Sequence, residues 1–393
     1  RRRHTRYISV TGVQTCALPI SVHTSWKLGK NMVVGWRPAE GGIEVCVAPC
    51  YRVLGLATAN PRLLNGRRIM GDGAFDEACK ILQTRPLRVA VPFKIGSDRA
   101  KGEVDPEVVD NVIRRYSIVQ TQYRAVMLFD IVGFSKVSMI EQVAQLNSLE
   151  YSINSAARKL GEVGLDVELA RSTVGDGFYV WNRARGLEAD LRTYAALLLI
   201  LIDNQLARAA AGDTHNLVPQ LRAAFAVGSH YSYHQVEGTK PRGFEYIVGD
   251  VTITLARIVA KAQPGQILIG NFQRPLDPLT QTIDAIMFLV RSEKVLARLE
   301  GAVAGDRPLK SVRSYVTGGR VEGRSLPMVK YLIEDKHGHQ HEMFNLRAFV
   351  QREDVEPLEF GLAPEKLGDF PGKPALYEVP VLNDGPRMVQ TAD

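Results

Sequence analysis

Residues 124–135 of the chain read RAVMLFDIVGFS, and this stretch decides the fold prediction. Five consecutive apolar residues, Ala125–Phe129, precede Asp130, which is typical of a strand buried on both faces of a sheet. A glycine and a serine then end the strand. An ionised carboxylate at the end of a buried strand is unfavourable unless it is paired or binds a cation. No basic residue follows Asp130 until Lys136, so we expect this carboxylate to face a cation.

A second acidic residue lies in a glycine-flanked turn, Val174-Gly175-Asp176-Gly177, forty-six positions after Asp130. The turn opens the second strand of a predicted hairpin, Leu165–Arg171 and Phe178–Trp181. Because neighbouring strands lie only about 5 Å apart, Asp176 can approach Asp130. Two carboxylates presented together can hold Mg²⁺ and leave room for phosphate oxygens. The backbone N–H groups of Ile131–Ser135, where the strand turns into a helix, can bind a polyphosphate.

Hydrophobic periodicity predicts the elements around this stretch. A helix with apolar residues from Ile140 to Leu160 follows the first strand, with Val143 among them, and a second helix, apolar nearly all round, covers Leu187–Ala210. The order β-α-β-β-α-β-β-α-β predicts an α+β fold, an antiparallel-rich sheet with helices on one face. The other predicted elements are the helices Pro106–Tyr116, Gly249–Ala262 and Leu279–Leu299 and the strands Leu221–Val227, Ser229–Gln235, Gln266–Ile269, Ser311–Val316, Met328–Glu334 and His341–Leu346.

The pattern is weak between Ser21 and Asp110. Short apolar runs at Ile43–Val47, Tyr51–Leu56 and Leu87–Val91 predict the strands of a small domain without a chemical motif. The four cysteines of the chain are too few for a disulfide scaffold and lack the spacing of a zinc site. We therefore expect a reducing, cytoplasmic location.

Composition and charge exclude several classes of protein. The chain has 393 residues, of which 45% are hydrophobic and 23% charged, as in ordinary globular proteins. No apolar run reaches the roughly 18 residues that span a bilayer, so we expect no membrane span. Residues 1–20 supply four arginines and no acid to the net charge of +7, leaving +3 for the rest. That remainder is too small and too dispersed for a nucleic-acid surface.

The opening residues, RRRHTRYISVTGVQTCALPI, resemble translated sequencing-adapter sequence. We therefore leave residues 1–20 out of the fold prediction. The alternative is a basic arm that binds nucleic acid.

Three motifs together resemble the catalytic domain of the bacterial class III nucleotidyl (adenylate/guanylate) cyclase family. Residues 129–135 and 174–177 are similar to its two metal motifs. The block YIVGDVTITLAR at 246–257, followed by AQPGQI at 262–267, resembles the helix that carries its transition-state arginine, here Arg257. The resemblance covers roughly residues 124–270 and implies a ferredoxin-like core. It divides the chain into an N-terminal, regulatory region (21–115), a catalytic domain (116–300) and a β-rich C-terminal extension (301–393).

The resemblance also implies a reaction, in which a nucleoside triphosphate, with ATP as the expected substrate, becomes a 3′,5′-cyclic nucleotide and pyrophosphate. Asp130, Asp176 and the carbonyl of Ile131 would hold two divalent cations, Mg²⁺ or Mn²⁺. Arg257 would neutralise charge on the α-phosphate. Two copies of the chain would share each site in a homodimer. The positions that would contact the nucleotide are Val132, Gly133, Phe134, Ser135, Ser172, Gly175, Tyr246 and Ile253.

The chain departs from the family at three of these positions. The family's asparagine four residues before the arginine is Ile253, its base-reading lysine falls at Ser172, and its base-reading acid falls at Tyr246. Arg171 is adjacent, but strand alternation points it to the opposite face. The departures fit either a degenerate domain that serves as a dimeric scaffold or an enzyme with an altered base pocket. We favour the enzyme, because a scaffold has little reason to keep two costly carboxylates together with Arg257.

Overall fold

The structure is a computed structural model of the chain. Residues 1–20, interpreted above as adapter-derived, lie outside the part that it describes. The described residues are 22, 31–91, 93–96, 98, 103–236, 243–277, 281–317, 320–321, 324–325 and 328–377.

The described parts of the N-terminal region and of the predicted catalytic domain contain α-helices. The described part of the C-terminal extension contains only a short 3₁₀ turn, Pro364–Asp369. The α-helices are α1 (Cys50–Ala57), α2 (Asp72–Ile81), α3 (Pro106–Ile113), α4 (Met139–Glu162), α5 (Leu187–Ala211), α6 (Asp250–Val259) and α7 (Ala285–Ala297).

Strands make up most of the rest. They are β1 (Asn31–Ala39), β2 (Gly42–Pro49), β3 (Leu87–Ala90), β4 (Val119–Ile131), β5 (Leu169–Thr173), β6 (Gly177–Asn182), β7 (Leu221–Val236), β8 (Gly243–Val248), β9 (Ile267–Gly270), β10 (Gln273–Asp277), β11 (Gln281–Asp284), β12 (Val303–Ala304), β13 (Arg307–Thr317), β14 (Arg320–Val321), β15 (Arg324–Ser325), β16 (Val329–Glu334), β17 (Gln340–Arg352), β18 (Leu358–Phe360) and β19 (Lys373–Leu376).

The central sheet is built mostly from antiparallel pairs. Its strand order is β12-β13-β17-β9-β7-β4-β6-β5, with β8 beside β7, β16 and β18 beside β17, and β19 beside β16. The β7–β9 pair is parallel. The α+β class and the antiparallel-rich sheet are therefore confirmed.

The helices do not all cover the same face of this sheet. Phe225 of β7 packs against Tyr194 of α5 and Phe288 of α7, with ring centroids 5.4 and 5.6 Å apart. Gly228 lies on the opposite face of the same strand by alternation. A Cβ atom there would lie 3.0 Å from Val251 of α6. The prediction of helices on one face is therefore right for α5 and α7 and wrong for α6.

Several element boundaries differ from the prediction. The predicted hairpin strand Leu165–Arg171 begins only at Leu169, after a turn at Gly164 (φ +73°) and four residues outside any element. Residues 221–236 form one strand, β7, and its hairpin partner is β8, which periodicity missed. Of the predicted helix Leu279–Leu299, residues 279–280 lie outside the described residues, and Gln281–Asp284 instead form β11, which pairs with β10. A buried ion pair of 2.7 Å from Arg274 to Asp190 of α5 ties that hairpin to the core.

Two apolar segments also behave differently from the prediction. Tyr51–Leu56 is part of a helix, α1, since a short apolar run does not distinguish a strand from a helix. In α4, Ile140 and Val143 are exposed, although their spacing places them on the apolar face. The first two turns of α4 therefore carry an uncovered apolar surface.

Helix α5 is the apolar helix of the prediction. It is long and apolar enough to cross a membrane by length and composition alone, but 56% of its most apolar window is buried inside the protein. Its residues from Leu191 to Ile202 belong to the same hydrophobic cluster as β4 and β7. These contacts are those of a core helix.

The terminal regions attach to the central sheet in different ways. Strands β1–β3 form a separate sheet, and the segment between α1 and α2 contacts β4 through the hydrogen bond from the Gln120 N–H to the Leu64 carbonyl, 2.9 Å. The C-terminal strands instead extend the central sheet, because β17 pairs with β9. The boundaries at 115 and 300 stay predictions.

Candidate functional site

Asp130 lies at the end of β4, between two neighbouring strands. Its Cα faces Gly177 of β6 on one side and Arg222 of β7 on the other. The apolar run before it anchors β4 in the core, and the residue retains only 9% of its exposure. The structure therefore holds a carboxylate where water is largely excluded.

Asp176 is brought beside this strand end by its glycine turn. Gly175 has a φ of +92°, a conformation that favours glycine, and the Asp176 carbonyl accepts the Ile131 N–H at 2.9 Å. Burial raises the pKa of Asp130, the Arg222 guanidinium opposes this, and the negative charge of Asp176 raises the pKa further. The turn thus holds the backbone of Asp176 against the end of β4, and the charge of Asp176 acts on the Asp130 carboxylate.

Arg222 is a member of the site that the sequence did not reveal. Its Nε donates to Oδ2 of Asp130 at 2.5 Å, and one terminal nitrogen donates to the Ala262 carbonyl at 3.0 Å. Asp130 thus has a basic partner, although no basic residue follows it closely in sequence. The pair is separated by 92 positions, and only the register of β4 against β7 joins it.

The turn after β4 offers fewer free backbone donors than predicted. The Val132 N–H donates to the Gln220 carbonyl at 2.9 Å, so it is not available to a phosphate. Gly133 has a φ of +71° and starts a 3₁₀ turn, Phe134–Lys136. Among the described residues, the N–H groups of Gly133, Phe134 and Ser135 have no hydrogen-bond partner. These three groups can still bind an anion.

The positions expected to contact the base lie on β5, β8 and α6. Ser172 is half-buried on β5, and Tyr246 stacks on Tyr233, with ring centroids 5.3 Å apart. Ile253 is exposed on α6. Arg171 contacts Asn154 of α4 at 2.9 Å, which confirms that its side chain leaves the Ser172 face. A serine, a tyrosine and an isoleucine therefore stand at the positions where the resemblance implies a lysine, an acid and an asparagine.

Arg257 lies on α6, and its closest charged neighbour is not part of the carboxylate pair. Its Nε is 3.3 Å from Oδ2 of Asp335, in the turn between β16 and β17. In the described part of the chain, Arg257 makes no ion pair with Asp130 or Asp176. The structure thus places the backbone of Asp176 beside the strand end that carries Asp130, and it pairs the predicted catalytic arginine with Asp335.

The donor set fits a hard divalent cation with few protein ligands. Within the described ranges, no group of three His, Cys, Asp or Glu side chains could hold a metal ion. Asp130, Asp176 and the Ile131 carbonyl would supply oxygen atoms alone, which suits Mg²⁺ or Mn²⁺. Arg222 engages one oxygen of Asp130 and leaves the other for a cation.

No protein-family model matches the chain, and no curated protein sequence matches it. The solved structures to which it is similar include three cyclases, each at a low TM-score. The guanylyl cyclase Cya2 is 15% identical (TM-score 0.36), with 58% of this chain and 92% of that one covered. The guanylate cyclase domain of RhGC from Catenaria anguillulae in complex with GTP is 15% identical (TM-score 0.34; 59% and 98% covered). The adenylyl cyclase CyaB from P. aeruginosa is 13% identical (TM-score 0.34; 61% and 100% covered).

Proposed function

We propose that the chain is a nucleotidyl cyclase that converts a nucleoside triphosphate, ATP first among the candidates, into a 3′,5′-cyclic nucleotide and pyrophosphate. The observation that carries the proposal is the approach of Asp130 and Asp176 at adjacent strand ends. The motif order and spacing of the sequence support the same reaction.

In this proposal each charged group has one task. Asp130, Asp176 and the Ile131 carbonyl hold Mg²⁺ or Mn²⁺. With such ions bound, the ribose 3′-hydroxyl would have a lowered pKa and the charge on the leaving pyrophosphate would be partly neutralised. The N–H groups of Gly133, Phe134 and Ser135 bind phosphate oxygens.

Arg257 stabilises the charge that grows on the α-phosphate as the bond to the 3′-oxygen forms and the bond to pyrophosphate breaks. Ser172, Tyr246 and Ile253 border the base, and Gly175 gives the turn its shape. No protein nucleophile is needed, and much of the rate would come from placement and charge stabilisation.

We further propose that the working unit is a homodimer in which Arg257 of one copy serves the carboxylates of the other. The pairing of Arg257 with Asp335, rather than with Asp130 or Asp176 of its own chain, supports this arrangement. Met139, Ile140 and Val143, all exposed at the start of α4, offer an apolar surface that a second copy can cover.

The second candidate function is a degenerate cyclase-homology domain that binds nucleotide and regulates by association. The Arg222–Asp130 pair favours it, because an arginine competes with a cation for the carboxylate. Loss of the family's asparagine at Ile253 favours it as well.

One assay separates the two candidates. The purified protein is incubated with each of the four triphosphates and Mn²⁺, and cyclic nucleotide and pyrophosphate are measured. We expect one triphosphate to give both products, Asp176→Asn to abolish them, and Asp306→Asn, an exposed acid far along the chain, to leave them unchanged. Nucleotide-dependent dimerisation without any cyclic product would establish the scaffold instead.

A further inference from the structure

The turn between β16 and β17 carries an aspartate with an unusually complete set of contacts. Oδ1 of Asp335 accepts the backbone N–H groups of His337 and His339 at 2.8 and 3.1 Å. Its Oδ2 lies 3.4 Å from Nε2 of His341. The side chain is only 6% exposed. The carboxylate is therefore fixed by its own turn before any other group reaches it.

Asp335 stays ionised throughout the physiological pH range. Burial acts to raise its pKa, but the N–H groups of His337 and His339 and the ring of His341 outweigh burial and lower the pKa to about 2. A permanent negative charge thus stands at the end of the β16–β17 hairpin.

The Asp335 carboxylate lies close to one atom of the guanidinium group of Arg257, on α6. Nε of Arg257, 3.3 Å from Oδ2 of Asp335, is itself buried, although the contact lacks the alignment of a hydrogen bond. The whole side chain retains 35% of its exposure, so the exposed part lies elsewhere on the side chain. Neither terminal nitrogen donates a hydrogen bond to a described residue. Asp335 therefore holds Arg257 at Nε, while the two terminal nitrogens of Arg257 make no hydrogen bond with the described residues.

We propose that Asp335 is a positioning residue for Arg257, so that the C-terminal extension completes the catalytic site. An arginine binds a phosphate through two parallel N–H groups, and its long side chain loses freedom when it does so. The Asp335 carboxylate at Nε restricts the Arg257 side chain before the substrate binds. It leaves the two terminal nitrogens available for the α-phosphate. The inference rests on the proposed cyclase function.

The opposite role would be a latch in which Asp335 withholds Arg257 from the substrate. The two roles predict opposite changes in rate when the charge is removed. A latch gives a faster Asp335→Asn variant, whereas a positioning residue gives a slower one. The positioning role is favoured because the terminal nitrogens of Arg257, which would bind the phosphate, make no hydrogen bond with the described residues.

The kinetic test compares Asp335→Asn with Glu342→Gln. Glu342 pairs with Lys330 on the same hairpin at 2.8 Å and makes no contact with Arg257. We expect Asp335→Asn to lower kcat by about tenfold or more, the usual effect of losing an orienting partner, with KM for the nucleotide unchanged. Glu342→Gln should keep the wild-type kcat. Combined with Arg257→Ala, Asp335→Asn should cause no further loss, since it acts only through that arginine.

A faster Asp335→Asn enzyme, an unchanged kcat, or a loss that multiplies with that of Arg257→Ala would overturn the inference. Melting temperatures of all variants separate these effects from unfolding.

A second readout needs no activity. In protein with ¹⁵N-labelled arginine, the Nε–Hε resonance that Arg257→Ala removes should shift in Asp335→Asn and stay in place in Glu342→Gln. If the wild-type protein forms no cyclic product, the proposed function fails and this spectrum still decides the contact. An unshifted resonance would overturn the inference even in an active enzyme.

Discussion

Arg222 and Asp130 form the ion pair at the centre of the candidate site. Replacing Arg222 therefore tests how the negative charge of Asp130 is compensated. Arg222→Gln leaves a mostly buried carboxylate without a counter-ion, and we expect it to lower the free energy of unfolding by about 2–4 kcal/mol. Saturating Mn²⁺ should restore part of this loss by replacing the missing positive charge. Thermal unfolding with and without Mn²⁺ measures both effects.

The control for this variant is Arg222→Lys, which keeps the charge and should behave more like wild type. An equal Mn²⁺-induced rise in Tm for Arg222→Gln and the wild-type protein would argue against a cation at Asp130.

His230 on β7 provides a test of pH dependence. It is 1% exposed, and burial, together with the charge of Arg124, lowers its pKa from 6.5 to about 3. Between those values the unfolded chain binds more protons than the folded one, so the free energy of unfolding falls as the pH is lowered through this window. The slope approaches ~1.4 kcal/mol per pH unit.

Urea unfolding at several pH values between 7.5 and 4 measures that slope. His230→Gln should flatten it, because the variant lacks the titrating ring. A variant whose stability falls with the same slope would show that other groups cause the acid sensitivity.

The Asp130–Asp176 pair could be predicted from the sequence, whereas Arg222 and Asp335 could not. The two acids follow local signals, a buried strand end and a glycine turn, that short-range patterns contain. Arg222 meets Asp130 through strand register, and Asp335 meets Arg257 through a hairpin outside the motifs. Neither contact can be predicted from the local periodicity of the sequence.

Strands β4 and β6 approach each other closely at Gly177, which makes this glycine a test of how the hairpin positions Asp176. A Cβ atom there would lie 1.9 Å from the Phe129 carbonyl oxygen, so Gly177→Ala must push the strands apart. We expect a loss of stability of about 1–3 kcal/mol or more and weaker Mn²⁺ binding, since the Ile131–Asp176 hydrogen bond would open.

Gly55→Ala on α1 is the matched control, since nothing lies within 4 Å of the added atom. Chemical unfolding and Mn²⁺ titration compare the two variants. Wild-type Mn²⁺ affinity in Gly177→Ala would mean that the hairpin does not position a metal ligand.

Element types were predictable where the chain carries a long, uniform signal. Helix α5 was predicted almost to its ends because its apolar run is continuous. The face that α6 covers was not predictable, because helix periodicity records which side is apolar and not which face of the sheet lies beneath it. Strand β11 was mistaken for the start of a helix for a similar reason, since the Arg274–Asp190 pair that anchors its hairpin is a tertiary contact.

At the level of the assembly, shared sites predict complementation between inactive chains. Asp176→Asn and Arg257→Ala each disable a different half of a site, so a mixed dimer keeps one intact site. An equal mixture that exchanges freely should regain about a quarter of the wild-type activity, because half of the dimers are mixed and each has one working site. Cyclic-nucleotide formation after mixing measures this recovery.

Each variant alone is the control and should stay inactive. A mixture that stays inactive although mass spectrometry detects mixed dimers would contradict shared sites.

The most direct test of the carboxylate pair is a Mn²⁺ titration followed by electron paramagnetic resonance. The wild-type protein should bind Mn²⁺, and Asp130→Asn and Asp176→Asn should each weaken binding by about tenfold or more, while Asp306→Asn should not. Equal Mn²⁺ affinity in all four proteins, with each shown to be folded by circular dichroism, would contradict the account.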